Sequence, residues 1–324
     1  MDFTWQDGER TVRFGRGTVA TAPELLTEPY TLLTTPRVED RVPAVVEGAA
    51  KVLHVPSGNV DELSAGLLDE VDTDLVVALG GGRVIDTAKA IAGARPGGRA
   101  GAIPTTLSAA EMTKVHQRPK GAEGARGVRA AIVVNDPDLS GSQPVADLAA
   151  SSANSLAHAV EAAATTLASP VPTLAAREAQ RLIDAAWLVE DEDPGRIARE
   201  QLALASLLSG YAIDAAWYGL SHVLSQTLRR VGGAEHGRAN AAVLPVAIEA
   251  LERRNPGRVD PDGTLAELAR KLARRAGADG IRKLGVPEEL LDACADAAAR
   301  RGELDLTPPR ADRDELRDLY AQAW

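Results

Sequence analysis

Two rhythms of apolar and polar residues alternate along the first 135 residues. Short runs rich in β-branched residues predict strands, and segments with apolar residues three or four positions apart predict helices. The predicted strands are 30–35, 51–55, 75–80, 100–106 and 130–136, and the predicted helices between them include 38–48 and 60–71. Strands that alternate with helices are typical of βαβ units, so we expect a mostly parallel sheet.

The pattern changes after Asp136-Pro137, where the strand signal ends. Segments with helical apolar spacing follow, separated by turn clusters at 191–195, 285–287 and 306–312. These segments are 144–168, 171–190, 198–228, 238–254, 265–276, 287–301 and 312–324. We therefore expect a Rossmann-like α/β domain over residues 1–140 and an all-helical domain over residues 141–324.

Composition narrows the class of protein. Hydrophobic residues make up 45% of the chain and charged residues 25%, as in ordinary globular proteins, and the formal net charge of −10 argues against a nucleic-acid partner. The single cysteine, Cys294, excludes an intramolecular disulfide and fits the cytoplasm. The first ten residues lack the apolar core of a signal peptide, and no run approaches the roughly 18 apolar residues of a membrane helix. We expect a cytoplasmic protein with no membrane partner.

Three consecutive glycines, Gly80, Gly81 and Gly82, follow the predicted strand at 75–80. Glycines at this point let the backbone approach a phosphate, while the amides of the next helix face the anion. Thr105 and Thr106 leave the next strand at the same sheet edge. A tight turn without ligand and simple helix capping by the threonines stay open as alternatives. Together these features favour a phosphate-bearing cofactor, and we add Asp86 in the helix after the glycines to the candidate cofactor residues.

Three of the five histidines, His158, His222 and His236, fall in the predicted helical domain. Asn154 stands four residues before His158, so both side chains lie on one helix face about one turn apart. A lone histidine on a helix is ordinarily a packed or solvated residue. Spacing alone does not show that the three histidines converge.

Six motifs, in this order, resemble the signatures of the iron-containing (group III) alcohol dehydrogenases. They are GGGRVIDTAKA (80–90), IPTT (103–106), NDPDL (135–139), NSLAHAVEA (154–162), LSHVLSQ (220–226) and EHGRANAAVLP (235–245). The resemblance implies a nucleotide-binding α/β domain, a helical domain and an active site in the cleft between them. It also implies that NAD or NADP delivers a hydride to a small carbonyl substrate, and that the enzyme is a homodimer.

The resemblance also concerns a metal. In metal-dependent members an Asp and three His hold iron or zinc, and by motif Asn154 stands where that Asp belongs, with His158, His222 and His236 where the His belong. An amide is neutral, so we expect any metal to be held weakly or not at all. Asn at this position resembles the maleylacetate reductase branch, which works without a metal. LLTTPR (32–37), AEMT (110–113) and residues 284–298 also resemble that branch.

Roles for individual residues follow from the resemblance. Without a metal, imidazoles must stabilise the charge that develops on the substrate oxygen, and we expect His222 and His236 to do so. We expect Asn154 to orient one of them or the substrate. Candidates for binding a carboxylate on an acidic substrate are Lys114, His116 and Arg238.

Thr35 and Arg37 extend the candidate cofactor site. Both follow the predicted strand at 30–35, and no acidic residue stands near Arg37 before Glu39. A cation at this position favours tolerance of a 2′-phosphate, so we expect NADPH to bind at least comparably to NADH.

Two other functions stay open on the sequence. A dehydroquinate synthase-like lyase uses a similar cofactor domain, but the short helical domain and the lack of an extra basic cluster argue against it. A non-catalytic nucleotide-binding relative is suggested by the missing Asp and opposed by the three retained histidines. Net consumption of NAD(P)H separates an oxidoreductase from both.

Overall fold

The computed structural model describes residues 1–122, 124–188 and 193–324. It contains two compact units, Met1–Gln143 and Pro144–Trp324, each described by itself below. The turn predicted at 191–195 and the end of the helix predicted at 171–190 fall partly outside the described residues. Within the described ranges, no helix is long and apolar enough to cross a membrane.

The N-terminal unit is built on one sheet, which has seven strands in the described part of the chain. The strands are β1 Asp2–Asp7, β2 Arg10–Gly15, β3 Tyr30–Thr34, β4 Lys51–His54, β5 Leu75–Gly80, β6 Arg99–Pro104 and β7 Ala130–Asn135. The helices are α1 Ala22–Leu25, α2 Pro36–Glu39, α3 Pro43–Glu47, α4 Val60–Leu67, α5 Gly82–Ala94 and α6 Pro137–Ser140. The five strands predicted from the sequence are all present, and the predicted parallel sheet is confirmed.

The sheet order is β1-β2-β7-β6-β5-β3-β4. Among the described strands, only β1 and β2 pair antiparallel, and the other neighbours are parallel. All residues of β3 and β5 are buried, as expected for strands covered on both faces. The hairpin β1–β2 was not predicted, because β1 alternates exposed and half-buried positions and carries no apolar run. The helix predicted at 38–48 is divided into α2 and α3 at Pro43, whose ring interrupts a helix.

The order in which strands are added to the sheet changes side between β3 and β5, although these two strands are parallel. From β3 the chain moves to β4 at the edge, and then β5, β6 and β7 are added on the other side of β3. The hydroxyl of Thr34 donates to the carbonyl of Leu79 over 3.0 Å and ties the ends of β3 and β5 together. In open α/β sheets, ligands bind beyond the carboxyl ends of the strands at such a reversal.

The C-terminal unit is helical throughout its described residues. Its helices are α7 Val145–Ala164, α8 Pro170–Ala186, α9 Arg196–Ala216, α10 Leu220–Gly232, α11 His236–Arg254, α12 Leu265–Arg275, α13 Leu291–Ala299 and α14 Arg313–Ala323. Every predicted helical segment is found. The segment 198–228 is nevertheless two helices, because the backbone breaks between Trp217 and Gly219.

Helix α7 lies at the centre of this unit. Sixteen of its twenty residues are buried, and it packs against α8, α9, α11 and α12. A helix buried on all sides is ordinarily apolar, and alanines fill half of the sixteen buried positions. Asn154, His158 and Glu161 are exceptions, and buried polar side chains are costly unless they are paired. They mark the part of α7 where function should be sought.

A close approach in the N-terminal unit gives a stability prediction. A Cβ atom on Gly93 in α5 would lie 2.3 Å from the carbonyl oxygen of Arg126, and the Arg126 amide also donates to the carbonyl of Gly93 over 3.1 Å. Neither segment can retreat without losing that hydrogen bond. We expect Gly93→Ala to lower the free energy of unfolding by about 1–3 kcal/mol in urea titrations.

Gly66→Ala is the matched control, since Gly66 lies in α4 with no atom within 4 Å of an added Cβ. We expect it to be neutral or to stabilise the protein by up to about 1 kcal/mol. Equal stability of the two variants would contradict the close approach at Gly93.

Candidate active site

The glycine turn lies at the carboxyl end of β5, where the strand order reverses. Gly81 is the N-cap of α5, and no side chain caps this helix end. A Cβ atom on Gly81 would lie 3.1 Å from the side chain of Thr106, and the amide of Thr105 donates to the carbonyl of Gly80 over 3.0 Å. The structure therefore brings the candidate glycines and threonines together at an uncapped helix N-terminus. This arrangement fits the pyrophosphate of a dinucleotide.

The remaining cofactor candidates lie at the end of β3 and in α5. Thr35 follows β3 directly as the N-cap of α2, and Arg37 is an exposed residue of α2. Because β3 pairs with β5, Thr35 and the glycine turn leave neighbouring strands. Asp86 is already engaged, since its carboxylate accepts from Nζ of Lys89 over 2.8 Å.

Lys89 and Glu111 form a buried polar cluster in the N-terminal unit. Nζ of Lys89 also donates to the carbonyls of Ala110 and Val115 over 2.9 and 3.1 Å, which fixes the segment after Thr106 against α5. Burial raises the pKa of the Glu111 carboxyl to about 7, while the charges of Lys89 and Arg10 act in the opposite sense. Among the described residues, Oε2 of Glu111 has no hydrogen-bond partner.

His116 braces the loop after β6. Its Nδ1 donates to the carbonyl of Gln117 over 2.8 Å, and its Nε2 accepts from the amide of Val128 over 3.0 Å. Burial is the main cause that lowers the pKa of His116 and keeps the ring neutral. Both ring nitrogens are thus engaged within the loop. Lys114, the other candidate on this loop, is exposed.

Two of the three histidines of the helical unit are stacked on each other. The ring centroids of His158 and His222 are 5.0 Å apart with the planes inclined by 13°, and the residues are 8% and 5% exposed. Burial lowers the pKa of His158 well below its usual value, and the charges of His222 and His236 act in the same sense. His236 is an exposed residue at the start of α11. His158 is neutral at physiological pH.

Glu161 connects α7 to the start of α10. It is fully buried, and its Oε2 accepts from Nδ1 of His222. Its Oε1 accepts from the backbone amides of Gly219, Ser221 and His222 over 3.0, 2.7 and 3.4 Å. Because Gly219, the N-cap of α10, has no capping side chain, this carboxylate caps α10 from another helix.

Asn154 is paired with an amide on α11. Nδ2 of Asn240 donates to Oδ1 of Asn154 over 2.5 Å, and both residues are buried. The oxygen of Asn154 is therefore already a hydrogen-bond acceptor. Oδ1 of Asn240 has no partner among the described residues.

Two aromatic residues lie beside His222 at the break between α9 and α10. Trp217 has a φ of 58°, a left-handed backbone conformation that a bulky side chain rarely adopts. Its ring stacks on Tyr218 at 5.5 Å, and the Tyr218 ring lies 5.4 Å from that of His222. The Tyr218 hydroxyl donates to Oε1 of Glu303 over 3.2 Å. The stacked rings of Trp217 and Tyr218 therefore lie next to the imidazole of His222.

Glu161, Asn240 and Tyr218 are not among the site residues predicted from the sequence. Glu161 follows Asn154 by seven residues and His158 by three, so helical spacing alone places it on their face. Asn240 stands four residues after His236, which is a similar signal. For Tyr218 no local signal exists, because it lies inside a run with helical periodicity.

Comparison with known proteins identifies the family of this chain. Residues 148–324, more than half of the chain, match the family model of the Fe-containing alcohol dehydrogenase family, C-terminal. The chain belongs to this family. The resemblance inferred from the six motifs is thereby confirmed.

Curated relatives and solved structures of this family agree. Maleylacetate reductase 1 from Rhodococcus opacus is 31% identical over 86% of this chain and 80% of the relative. Maleylacetate reductase from Sphingobium indicum is 34% identical over 76% of this chain and 72% of the relative. The crystal structure of maleylacetate reductase from Agrobacterium tumefaciens matches with a TM-score of 0.85 and 25% identity, covering 99% of this chain and 97% of that chain. The protein is an NAD(P)-dependent oxidoreductase of the iron-type alcohol dehydrogenase family.

The residues at the family's metal position do not fit a divalent ion. No three His, Cys, Asp or Glu side chains of the described residues are placed to hold a metal. Asn154 is neutral and its oxygen accepts from Asn240, while Nδ1 of His222 is bound to Glu161. Neutral imidazoles and an occupied amide leave the charge of an ion uncompensated.

An aspartate at position 154 should restore a metal-binding charge. Its carboxylate can still accept from Asn240 and lies about one turn from His158, so the fold should be kept. We expect Asn154→Asp to raise the affinity for Zn²⁺ by about tenfold or more. Elemental analysis after zinc loading and graded dialysis against chelator measures the change.

Asn154→Ser is the matched neutral control, and its zinc affinity should stay at the wild-type level. Stoichiometric metal in the wild type after dialysis, with activity lost on its removal, would show that Asn154 is a working ligand.

The buried carboxyl of Glu111 predicts a pH-dependent stability. Its folded pKa of about 7 lies above the ordinary value of 4.5, so its contribution is fully present below pH 4.5 and is lost as the pH rises through 7. Glu111→Gln keeps the shape and cannot ionise. We expect the variant to be more stable than the wild type at pH 8, by on the order of 3 kcal/mol, and similar to it at pH 4.5.

Urea unfolding of both proteins at the two pH values tests this. Glu47→Gln, an exposed position in α3, should show no such dependence. A wild-type protein that keeps its stability from pH 4.5 to pH 8 would contradict the effect of burial.

Proposed function

We propose that this oxidoreductase reduces a small carbonyl compound or a conjugated keto acid with NADH or NADPH, without a bound metal ion. The observation that carries the proposal is the buried pair His158 and His222 backed by Glu161. A substrate that accepts a hydride gains negative charge on oxygen, which must be stabilised or protonated. Since the relatives described above are maleylacetate reductases, maleylacetate is the first substrate to test.

Residues around the glycine turn would hold the cofactor. The uncapped N-terminus of α5 and Thr106 suit the pyrophosphate, and Thr35 and Arg37 lie at the end of the neighbouring strand. The nicotinamide supplies a hydride when the cofactor is bound. The exposed cation of Arg37 supports NADPH binding that is at least comparable to NADH binding.

His222 is the proposed proton donor to the substrate oxygen. Its Nδ1 is committed to Glu161, which leaves Nε2 as the nitrogen that exchanges a proton. His158 is neutral, and its Nδ1 is buried without a partner among the described residues, which suits a hydrogen bond to the substrate. Asn154, held by Asn240, would orient the substrate or a ring beside it. This set performs electrostatically what a metal ion does by polarising a carbonyl.

Two cations are proposed to bind a carboxylate on an acidic substrate. Arg238 is exposed in the first turn of α11, two residues after His236. Lys114 is exposed in the N-terminal unit. His116 is the weakest of the three candidates, because both of its ring nitrogens are engaged in its own loop. His236 remains a proposed second donor to the substrate oxygen.

We further propose a cytoplasmic homodimer. The family resemblance supports the dimer. The single cysteine, Cys294, is buried and free, which suits a reducing compartment.

A substrate panel tests the proposed function. Oxidation of NADH and NADPH is followed with maleylacetate, small aldehydes and small ketones, and the reverse reaction with alcohols, each with and without chelator. Nicotinamide fluorescence gives the affinity for each cofactor. We expect both cofactors to bind, and turnover of at least one carbonyl substrate to survive chelation.

Turnover that stops with chelator and returns with added zinc or iron would contradict the metal-free proposal. Binding of neither cofactor would contradict the role of the glycine turn. The His222→Gln variant is the control for the imidazole. It should keep its affinity for NADH and lose about 100-fold or more in kcat.

A further inference from the structure

We propose that Glu161 is a positioning residue that fixes the tautomer of His222. It would hold a hydrogen on Nδ1 in both forms of the ring, so that the charged ring gives its second hydrogen from Nε2 to the substrate oxygen and the ring is left neutral with the hydrogen on Nδ1. The inference rests on the proposed function of His222 and deepens it. It concerns a residue that contacts neither substrate nor cofactor in the proposal and acts through the imidazole.

The two oxygens of Glu161 have different partners. Oε1 accepts from the amides of Gly219, Ser221 and His222, and Oε2 accepts from Nδ1 of His222. Glu161 is fully buried, so water does not compete for these contacts. The carboxylate therefore fixes both the helix that carries His222 and the ring itself.

The direction of the hydrogen bond to His222 follows from the chemistry of an ionised carboxylate. Such a group accepts hydrogen bonds and cannot donate them. Three backbone amides already donate to Glu161, so its carboxylate acts here as a hydrogen-bond acceptor. Nδ1 of His222 must then carry a hydrogen in both the neutral and the charged ring, and any exchange is restricted to Nε2.

Two neighbouring rings restrict the imidazole further. His158 stacks on His222 at 5.0 Å, and the Tyr218 ring lies 5.4 Å away. A flip of the His222 ring would break the contact with Glu161 and leave a buried carboxylate oxygen unpaired. The structure thus specifies the orientation of the ring as well as its tautomer.

The Glu161→Gln substitution keeps the cap of α10 and changes only the contact that sets the tautomer of His222. The amide oxygen of Gln can still accept from the start of α10, so the fold should be kept. The amide nitrogen would face Nδ1 of His222 and donate to it, which moves the hydrogen of the neutral ring to Nε2. It also disfavours the charged ring that gives the proton to the substrate, because a second hydrogen on Nδ1 would have no acceptor. The same exchange behind a catalytic imidazole in the serine-protease triad lowers kcat by orders of magnitude.

The experiment uses the full-length protein with two independent measurements. With maleylacetate and NADH, we expect Glu161→Gln to lower kcat by about 100-fold or more and to change the KM for NADH by less than about threefold. In protein labelled with ¹⁵N-histidine, long-range ¹H–¹⁵N correlations should show the hydrogen on Nδ1 in the wild type and on Nε2 in the variant. The spectrum of His222→Gln assigns the signals.

Asp260→Asn is the matched control. Asp260 is buried and accepts from the amides of Thr264, Leu265 and Ala266 at the start of α12, and none of these donors is an imidazole. It should lose stability like any weakened cap and keep kcat within about threefold. Glu161→Asp retains a carboxylate and should recover the Nδ1 hydrogen and part of the lost kcat.

Three results would overturn the proposal. They are an unchanged kcat in Glu161→Gln, a hydrogen that stays on Nδ1 of His222 in that variant, and an equal loss of kcat in Asp260→Asn. Failure of the proposed function is distinguishable from these. A wild type that turns over no carbonyl substrate leaves the NMR comparison intact, and that comparison alone decides which atom carries the hydrogen.

Discussion

A carboxylate buried away from water must be paired, and this requirement at Glu161 organises the helical unit. An unpaired charge in a protein interior costs several kcal/mol, so its partners have to converge on it. The partners are the first amides of α10 and the ring of His222. Helix α10 must therefore begin beside the last turn of α7, and α9 cannot continue straight into it. The backbone turns at Trp217 with a φ of 58°, and this local strain is held by the contacts around it.

The N-terminal unit meets the same requirement with a cation. Lys89 is fully buried, and its ammonium donates to Asp86 and to the carbonyls of Ala110 and Val115. Those carbonyls belong to the segment that follows the candidate threonines after β6. In each unit a buried charge fixes backbone that carries proposed functional residues: the segment after Thr106 in the N-terminal unit, and the start of α10 with His222 in the helical unit. Pre-organisation of this kind lowers the cost of holding a reacting group in place.

The sequence pattern predicted helices and strands correctly where the element's own apolar residues determine its structure. The all-buried run of β5 and the apolar spacing of α7 are examples. The hairpin β1–β2 was not predicted from the sequence because its strands carry no apolar run. The break at Trp217–Gly219 was not predicted because its cause is non-local. The carboxylate of Glu161, which accepts from the first amides of α10, stands 58 to 61 residues earlier in the chain. The motifs likewise named the histidines, while the pairing of Glu161 with one of them is a tertiary contact that spacing does not reveal.

The charge balance of the helical site supports the proposal that the enzyme works without a metal. An aspartate at position 154 would place a second carboxylate on the same face of α7 as Glu161, about two turns away. Neutral imidazoles cannot compensate two buried negative charges, so such a site calls for a cation. With asparagine, the only buried carboxylate of α7 is Glu161, and its hydrogen bonds already compensate it. The side-chain amide of Asn240 then donates a hydrogen bond to the oxygen of Asn154. In the proposed site, the buried negative charge is therefore compensated by the protein's own hydrogen-bond donors.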